Sequence, residues 1–258
     1  MKRLVDPLPA ANLVWFDEVD SSHVLAGRLT AAWTAADNPE LGETVIVAGR
    51  QMAGRGRGAN RWSSPDGGLY ATWLAWLPTE RLNALPPAMG VSLADAVEAL
   101  VPGIRVGFKW PNDLIVNRSK VGGVLIQARG DAERSWVAAS FGINIAVVPE
   151  VDSPAPYPPG SLAGSGWNGD AAAAAWALVA SFLARIHGIL DSGELQAAWA
   201  SRLLHAPGDV LRVRLHDREI QGFFVGVGRE GQLLLRVDEG IMEIASGEVI
   251  GPPAGGGA

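Results

Sequence analysis

Three short stretches carry the residue types from which chemistry could be built. The first is Gly54 to Trp62, Gly-Arg-Gly-Arg-Gly-Ala-Asn-Arg-Trp, with three glycines and three arginines, Arg55, Arg57 and Arg61. Glycine lets a backbone fold close to a ligand, and arginine supplies a fixed charge whose planar fork matches phosphate or carboxylate. Such a loop suits a polyphosphate, although the same composition also occurs in RNA-binding tracts. The second stretch is Lys109-Trp-Pro-Asn-Asp113. Pro111-Asn112-Asp113 reads as a turn, yet Asn112 and Asp113 also offer oxygen ligands for Mg²⁺, or, in Asp113, a carboxylate to orient a nucleophilic amine. The third is Lys120-Val-Gly-Gly123, where a lysine precedes two glycines inside a branched apolar run. Paired glycines there mark a bulge, or let a flat ligand lie on the strand.

The elements that must position these residues follow from the hydrophobic pattern. Trp15 to Val19, Thr44 to Ala48 and Leu69 to Leu77 read as strands, so the glycine-arginine loop connects two strands of a folded domain. Ser21 or Ser22 caps a helix whose face is Leu25, Leu29, Ala32, Trp33 and Ala36. Pro86 and Pro87 open a second helix, with Met89, Leu93, Ala96, Val97 and Leu100 on one face and Pro102-Gly103 as its end. Strands are predicted over 105–109, 114–116, 121–128 and 136–147, the last three joined as hairpins. Residues 149–169, rich in proline, glycine and serine, read as a lid or a flexible boundary. Asp170 caps a long alanine-rich helix, and a shorter helix is predicted over 194–204. From Ala206 onward the pattern is all strand, with four or five short strands, which suggests a small barrel of the SH3-like type.

Composition narrows the class. Of 258 residues, 48% are hydrophobic and 19% charged, enough apolar surface for a large core, and the net charge of −6 argues against general affinity for nucleic acid. With no cysteine, disulfides, thiolate metal sites and a cysteine nucleophile are excluded. No signal peptide is evident at the start, and no apolar run is read as approaching the roughly 20 residues a bilayer needs, so a cytoplasmic protein with no membrane partner is expected. Gly54 to Ala59 satisfies G-x-G-x-x-A, but a dinucleotide site needs a helix to begin there, and Trp62-Ser-Ser-Pro-Asp-Gly-Gly68 does not supply one. A Walker A loop is absent.

Taken together, the glycine-arginine loop, Lys-Trp-Pro-Asn-Asp, Lys-x-Gly-Gly and the later Gly142-Ile-Asn-Ile145 resemble the biotin protein ligases in order and spacing, from about Trp15 to Ile145. The resemblance implies an α+β catalytic domain, a mixed sheet with packed helices, over 1–205, an SH3-like β-barrel over 206–252, and a flexible tail over 253–258. It implies an AMP-forming ligase: the biotin carboxylate attacks the α-phosphate of ATP, pyrophosphate leaves, and a lysine of a biotin carboxyl carrier protein domain takes biotin from biotinyl-5'-AMP. Mg²⁺ is implied as activator, with no bound prosthetic group, and a monomer or weak homodimer is expected.

Carried onto this chain, the resemblance places Ser21, Ser22 and Gln51 at the biotin ureido end. Gly54, Arg55, Trp62, Lys120, Gly122, Gly123 and Ile126 join them in holding biotin. Arg55, Arg57, Trp62, Asn112, Lys120 and Asn144 fall to ATP, Asn112 and Asp113 to Mg²⁺, and Lys120, Arg55, Arg57 and Asp113 to catalysis. Gly58, Asn60 and His23 depart from the family pattern, the first two standing where basic residues are common and His23 where asparagine is. The chain starts at the catalytic domain, so no operator-binding repressor role is expected. A lipoate or octanoate ligase shares the fold and two-step chemistry and is the alternative; a non-catalytic biotin sensor is a further one.

Overall fold

The computed structural model describes residues 11–35, 42–151 and 156–250. A seven-stranded sheet forms first, from β1 (Asn12–Val19), β2 (Thr44–Gln51), β3 (Leu69–Pro78), β4 (Gly107–Lys109), β5 (Asp113–Val116), β6 (Ser119–Gly130) and β7 (Arg134–Ile143). Its order is β1-β2-β3-β7-β6-β5-β4, and only the β1–β2 pair is parallel among the described strands, so the sheet is mixed. β5 and β6 form the predicted hairpin: Asn117 and Arg118 both take positive φ, as a two-residue primed turn requires.

Helices cover both faces. α1 (Ser22–Ala35) lays Leu25, Ala26, Leu29 and Trp33 on Ile46, Leu74 and Ala138. The predicted Ala36 lies outside the described residues. α2 (Leu85–Leu100) and α3 (Ala171–Asp191) pack on the other face, where Trp73 meets Phe182 edge-on at 5.8 Å. Asp170 caps α3 as expected, accepting from the Ala173 amide at 2.8 Å. By length and composition α3 could cross a membrane, contrary to the expectation that no apolar run approaches that length. Its Leu178, Val179, Phe182, Leu183 and Ile186 face is nevertheless taken up by the core.

α4 (Leu195–Ala200) stops four residues short of the predicted end. The backbone of the edge strand β4 needs partners, and residues 202–204 supply them: the Phe108 amide donates to the Arg202 carbonyl at 2.7 Å, and Leu204 donates back to Phe108 at 3.0 Å. Trp199 stacks on Phe108 at 4.2 Å, and Arg202 pairs with Asp95 and Glu98 of α2. β7 likewise ends at Ile143 rather than 147, because the Asn144 amide turns to the Val121 carbonyl and Ala146 to Gly67.

A five-stranded antiparallel sheet follows, from β8 (Val210–Arg214), β9 (Glu219–Val227), β10 (Leu233–Val237), β11 (Gly240–Ile244) and β12 (Glu248–Ile250), in the order β11-β10-β9-β8-β12. This is consistent with the SH3-like expectation, except that among the described residues the edges β11 and β12 are not paired and no barrel closes. The five strands agree with the four or five expected, β12 being only three residues long. The expected tail lies outside the described residues.

Candidate active site

A cavity of about 630 Å³ opens between the first sheet, the glycine-arginine loop and the turn between β11 and β12. One end is neutral. α1 begins as β1 ends, so Ser21 caps the helix and Ser22 starts it, with the Ser22 amide donating to Gln51 Oε1 at 2.8 Å. Gln51, at the end of β2, turns its Nε2 to Ser64 Oγ at 2.9 Å. Thr72 of β3 and Ser140 of β7, neighbours in register, add two hydroxyls, and His23 reaches Ser140 from α1.

The other end is charged. Asp113, at the start of β5, lies 2.7 Å from the Lys120 ammonium and 3.8 Å from that of Lys109. Burial pulls Lys109 below the ordinary lysine value; Asp113 and Glu248 favour its charge, and Lys120 and Arg57 oppose it. Arg55 and Arg57 approach from the loop, which is a small hairpin: Arg55 and Arg61 face each other, and the Gly56 amide donates to the Asn60 carbonyl at 2.9 Å. Gly58 sits at its tip with φ of 60°, a left-handed conformation that glycine adopts without strain. Arg57 donates to the Gly247 carbonyl at 2.7 Å and to Ser246 Oγ at 3.0 Å, so it ties the loop to the second sheet. Burial lowers its pKa, against Asp113 and Glu248.

Trp62 bridges the two ends. Its indole lies over Gly123 and Gly142, where a Cβ would come within 3.3 and 2.6 Å of the ring, and Lys120 Nζ stands 5.2 Å from the ring centroid.

The cavity thus gathers Ser21, Ser22, Gln51, Arg55, Arg57, Trp62, Asn112, Asp113, Lys120 and Gly123 as expected from sequence. Four predicted residues lie elsewhere. Gly122 faces β7, where a Cβ would meet Ile143 at 2.6 Å, and serves strand packing. Gly54 closes the base of the loop, since a Cβ would meet the Trp62 carbonyl at 2.4 Å. Ile126 lines a second cavity of about 280 Å³ beside Trp110 and Pro87. Asn144 is buried beneath Lys120, its Nδ2 donating to the Lys120 and Gly160 carbonyls at 3.4 and 2.9 Å. The supposed lid is partly stitched down by the same region, with the Lys120 amide donating to Pro158 and Gly160 donating back to Lys120.

Asn112 donates its Nδ2 to the Val124 carbonyl at 2.7 Å, which leaves its Oδ1 as an oxygen that could face a Mg²⁺ held chiefly by phosphates, whereas Asp113 is already flanked by two ammonium groups; no three His, Asp or Glu side chains converge among the described residues. Sequence reasoning gave no role to Lys109, Thr72, Ser140, Gly142 or the second-sheet residues Ser246 and Glu248. Thr72 and Ser140 left a signal, as small hydroxyl residues within largely apolar buried strands, a signal that Ser135 of β7 shares.

A mixed sheet carrying an arginine loop on one side and a lysine–aspartate pair on the other defines the class, a biotin/lipoate-type ligase, and residues 35–145 match the Biotin/lipoate A/B protein ligase family. The chain is 30% identical over 217 residues to the biotin–[acetyl-CoA-carboxylase] ligase of Paracoccus denitrificans, covering 81% of this chain and 90% of that one. It is 29% identical to the bifunctional ligase/repressor BirA of Bacillus spizizenii, over 92% of this chain and 73% of the relative. Among solved structures, the biotin protein ligase of Aquifex aeolicus in complex with biotin and ATP superposes with a TM-score of 0.68 at 29% identity, covering 92% of this chain and 97% of that one. The chain belongs to the biotin protein ligase family.

Proposed function

We propose that this protein activates biotin with ATP and transfers it to a lysine of a biotin carboxyl carrier protein domain. One observation carries the reading: a cavity with hydroxyl and amide groups at one end and Lys120, Arg55 and Arg57 at the other, about the size of a small acid joined to a nucleotide. A carboxylate and a polyphosphate repel each other, so a catalyst must set cations between them and hold them in line. In this reading Lys120 takes that role, supported by Asp113 at 2.7 Å from its ammonium.

In the first step a biotin carboxylate oxygen bonds to the α-phosphorus, the bond from that phosphorus to the bridging oxygen breaks, and pyrophosphate leaves with the electron pair. In the second, a neutral amine attacks the acyl carbon, AMP departs, and the amine's remaining surplus proton passes to solvent or to Asp113. Trp62 covers the mixed anhydride against water.

ATP–pyrophosphate exchange in the presence of Mg²⁺, with biotin, lipoate or octanoate as the acid, tests the reading. Exchange with biotin alone, followed by transfer to a carrier domain, is expected. Exchange with lipoate or octanoate alone would move the substrate, and tight biotin binding without any exchange would mean a sensor.

A further inference from the structure

The neutral end contains a chain of hydrogen bonds that runs from the cavity wall to an imidazole. Ser22 Oγ and Thr72 Oγ1 are 2.9 Å apart, Thr72 Oγ1 and Ser140 Oγ 2.8 Å, and Ser140 Oγ and His23 Nδ1 2.7 Å. All three hydroxyls are buried. Ser22 and Ser140 come from different elements, α1 and β7, and Thr72 of β3 joins them.

Each hydroxyl has one proton, so the direction of one link dictates the others. The geometry makes Thr72 the donor to Ser22. Thr72 can then only accept from Ser140, and Ser140 in turn can only accept from His23. The imidazole must therefore carry its proton on Nδ1, and the Ser22 proton is the one left uncommitted, at a side chain that lines the cavity. With the proton on the other ring nitrogen every link would reverse, and Ser22 would offer a lone pair instead. Gln51 Oε1 accepts from the Ser22 backbone amide, so the residue is held through its backbone as well as through its hydroxyl.

We propose that His23 is a positioning residue for ligand recognition, which acts through Ser140 and Thr72 to make Ser22 present a hydrogen-bond donor to a urea-type carbonyl oxygen. This rests on the biotin reading above, and it gives a function to a residue that departs from the family pattern. Burial lowers the His23 pKa and the Arg55 charge adds to this, while a hydrogen bond with the Gln127 side chain opposes it; with the ring neutral and its proton on Nδ1, Gln127 must present its amide N–H to Nε2.

The test is a double-mutant cycle on biotin affinity with His23→Phe and Thr72→Val, together with His23→Asn. Because both single changes interrupt one chain, each is expected to weaken biotin about tenfold and the double variant no further than the worse single. His23→Asn, whose amide can still donate to Ser140, is expected to stay close to wild type. Additive losses in the double variant, or Asn binding no better than Phe, would overturn the proposal. Nitrogen-15 NMR of the wild-type protein tests it without any substitution: a protonated Nδ1 is expected, and a bare Nδ1 would refute it. If wild type does not bind biotin at all, the substrate reading falls, while the NMR result still decides the direction of the chain.

Discussion

The two ends of the cavity are built on opposite terms. At the neutral end, Ser22, Gln51, Thr72 and Ser140 come from secondary-structure elements and hydrogen-bond to one another, so their positions are set before any ligand arrives. At the charged end, two of the cations sit on a loop, and Arg57 is held by Ser246 and Gly247 of a different sheet. In the proposed reaction, recognition of a rigid ring system benefits from fixed partners, whereas the charged end would hold a reactant, a transition state and a product in turn. Disturbing one end should therefore alter affinity, and disturbing the other should alter rate.

The largest separation is expected from Lys120→Ala. Removing the cation that Asp113 orients should slow pyrophosphate exchange by about 10³-fold, while the affinity for biotin, measured by calorimetry, changes far less. Equal losses in rate and affinity would show that Lys120 belongs to recognition and erase the contrast between the two ends.

The charged end also has a pH-sensitive support. His205 lies in the segment that follows the backbone partners of β4, buried, with neither ring nitrogen hydrogen-bonded among the described residues, edge-on to Phe224. Burial holds its pKa down to about 4, with Asp209 opposing and the Lys109 charge adding. Because the folded value lies below the unfolded one, near 6.5, the neutral ring contributes stability above that pH, and the contribution is lost as pH falls toward 4. It amounts to about 3 kcal/mol. Urea midpoints between pH 4 and 7 should fall steeply for wild type and stay nearly flat for His205→Phe; matching acid limbs would remove His205 from the account.

Much of this arrangement was legible in the sequence, for identifiable reasons. The loop, Lys109 to Asp113 and Lys120 are contiguous motifs, so their residues arrive at the cavity together. The predicted residues that the cavity does not gather are those for which direction or distance decides. Gly122 and Gly123 look alike in sequence, but alternation along β6 sends one toward β7 and the other toward Trp62. Asn144 looks like a ligand contact until the turn after β7 places it under Lys120. The relay through Thr72 and Ser140, and the Arg57 tie to Ser246 some 189 positions away, depend on long-range pairing that no local spacing encodes.

A smaller effect is expected at the neutral end from Gln51→Ala. It removes the acceptor for the Ser22 amide and should raise the biotin dissociation constant roughly 30-fold, about 2 kcal/mol, with the rate at saturating biotin nearly unchanged. A fall in that rate comparable to the loss of affinity would mean that the neutral end also shapes the reacting geometry.

The smallest effect is expected where the two ends meet. At Gly142 an added Cβ would lie 2.6 Å from Trp62 Nε1 and 2.7 Å from Cε2, whereas at Gly123 the nearest ring atom would be 3.3 Å away. Trp62 belongs to the loop, so it can lift, and in doing so it leaves Lys120 without the ring face 5.2 Å from its ammonium. Gly142→Ala should cost about 1 kcal/mol and speed amide exchange across 54–62 about fivefold, with Gly123→Ala changing either much less. If the order were reversed, the indole would be held by Gly123 and the β6 side of the platform. The loop would then be positioned by the strand that carries Lys120, and its closure would be coupled to the charged end alone rather than shared between the two.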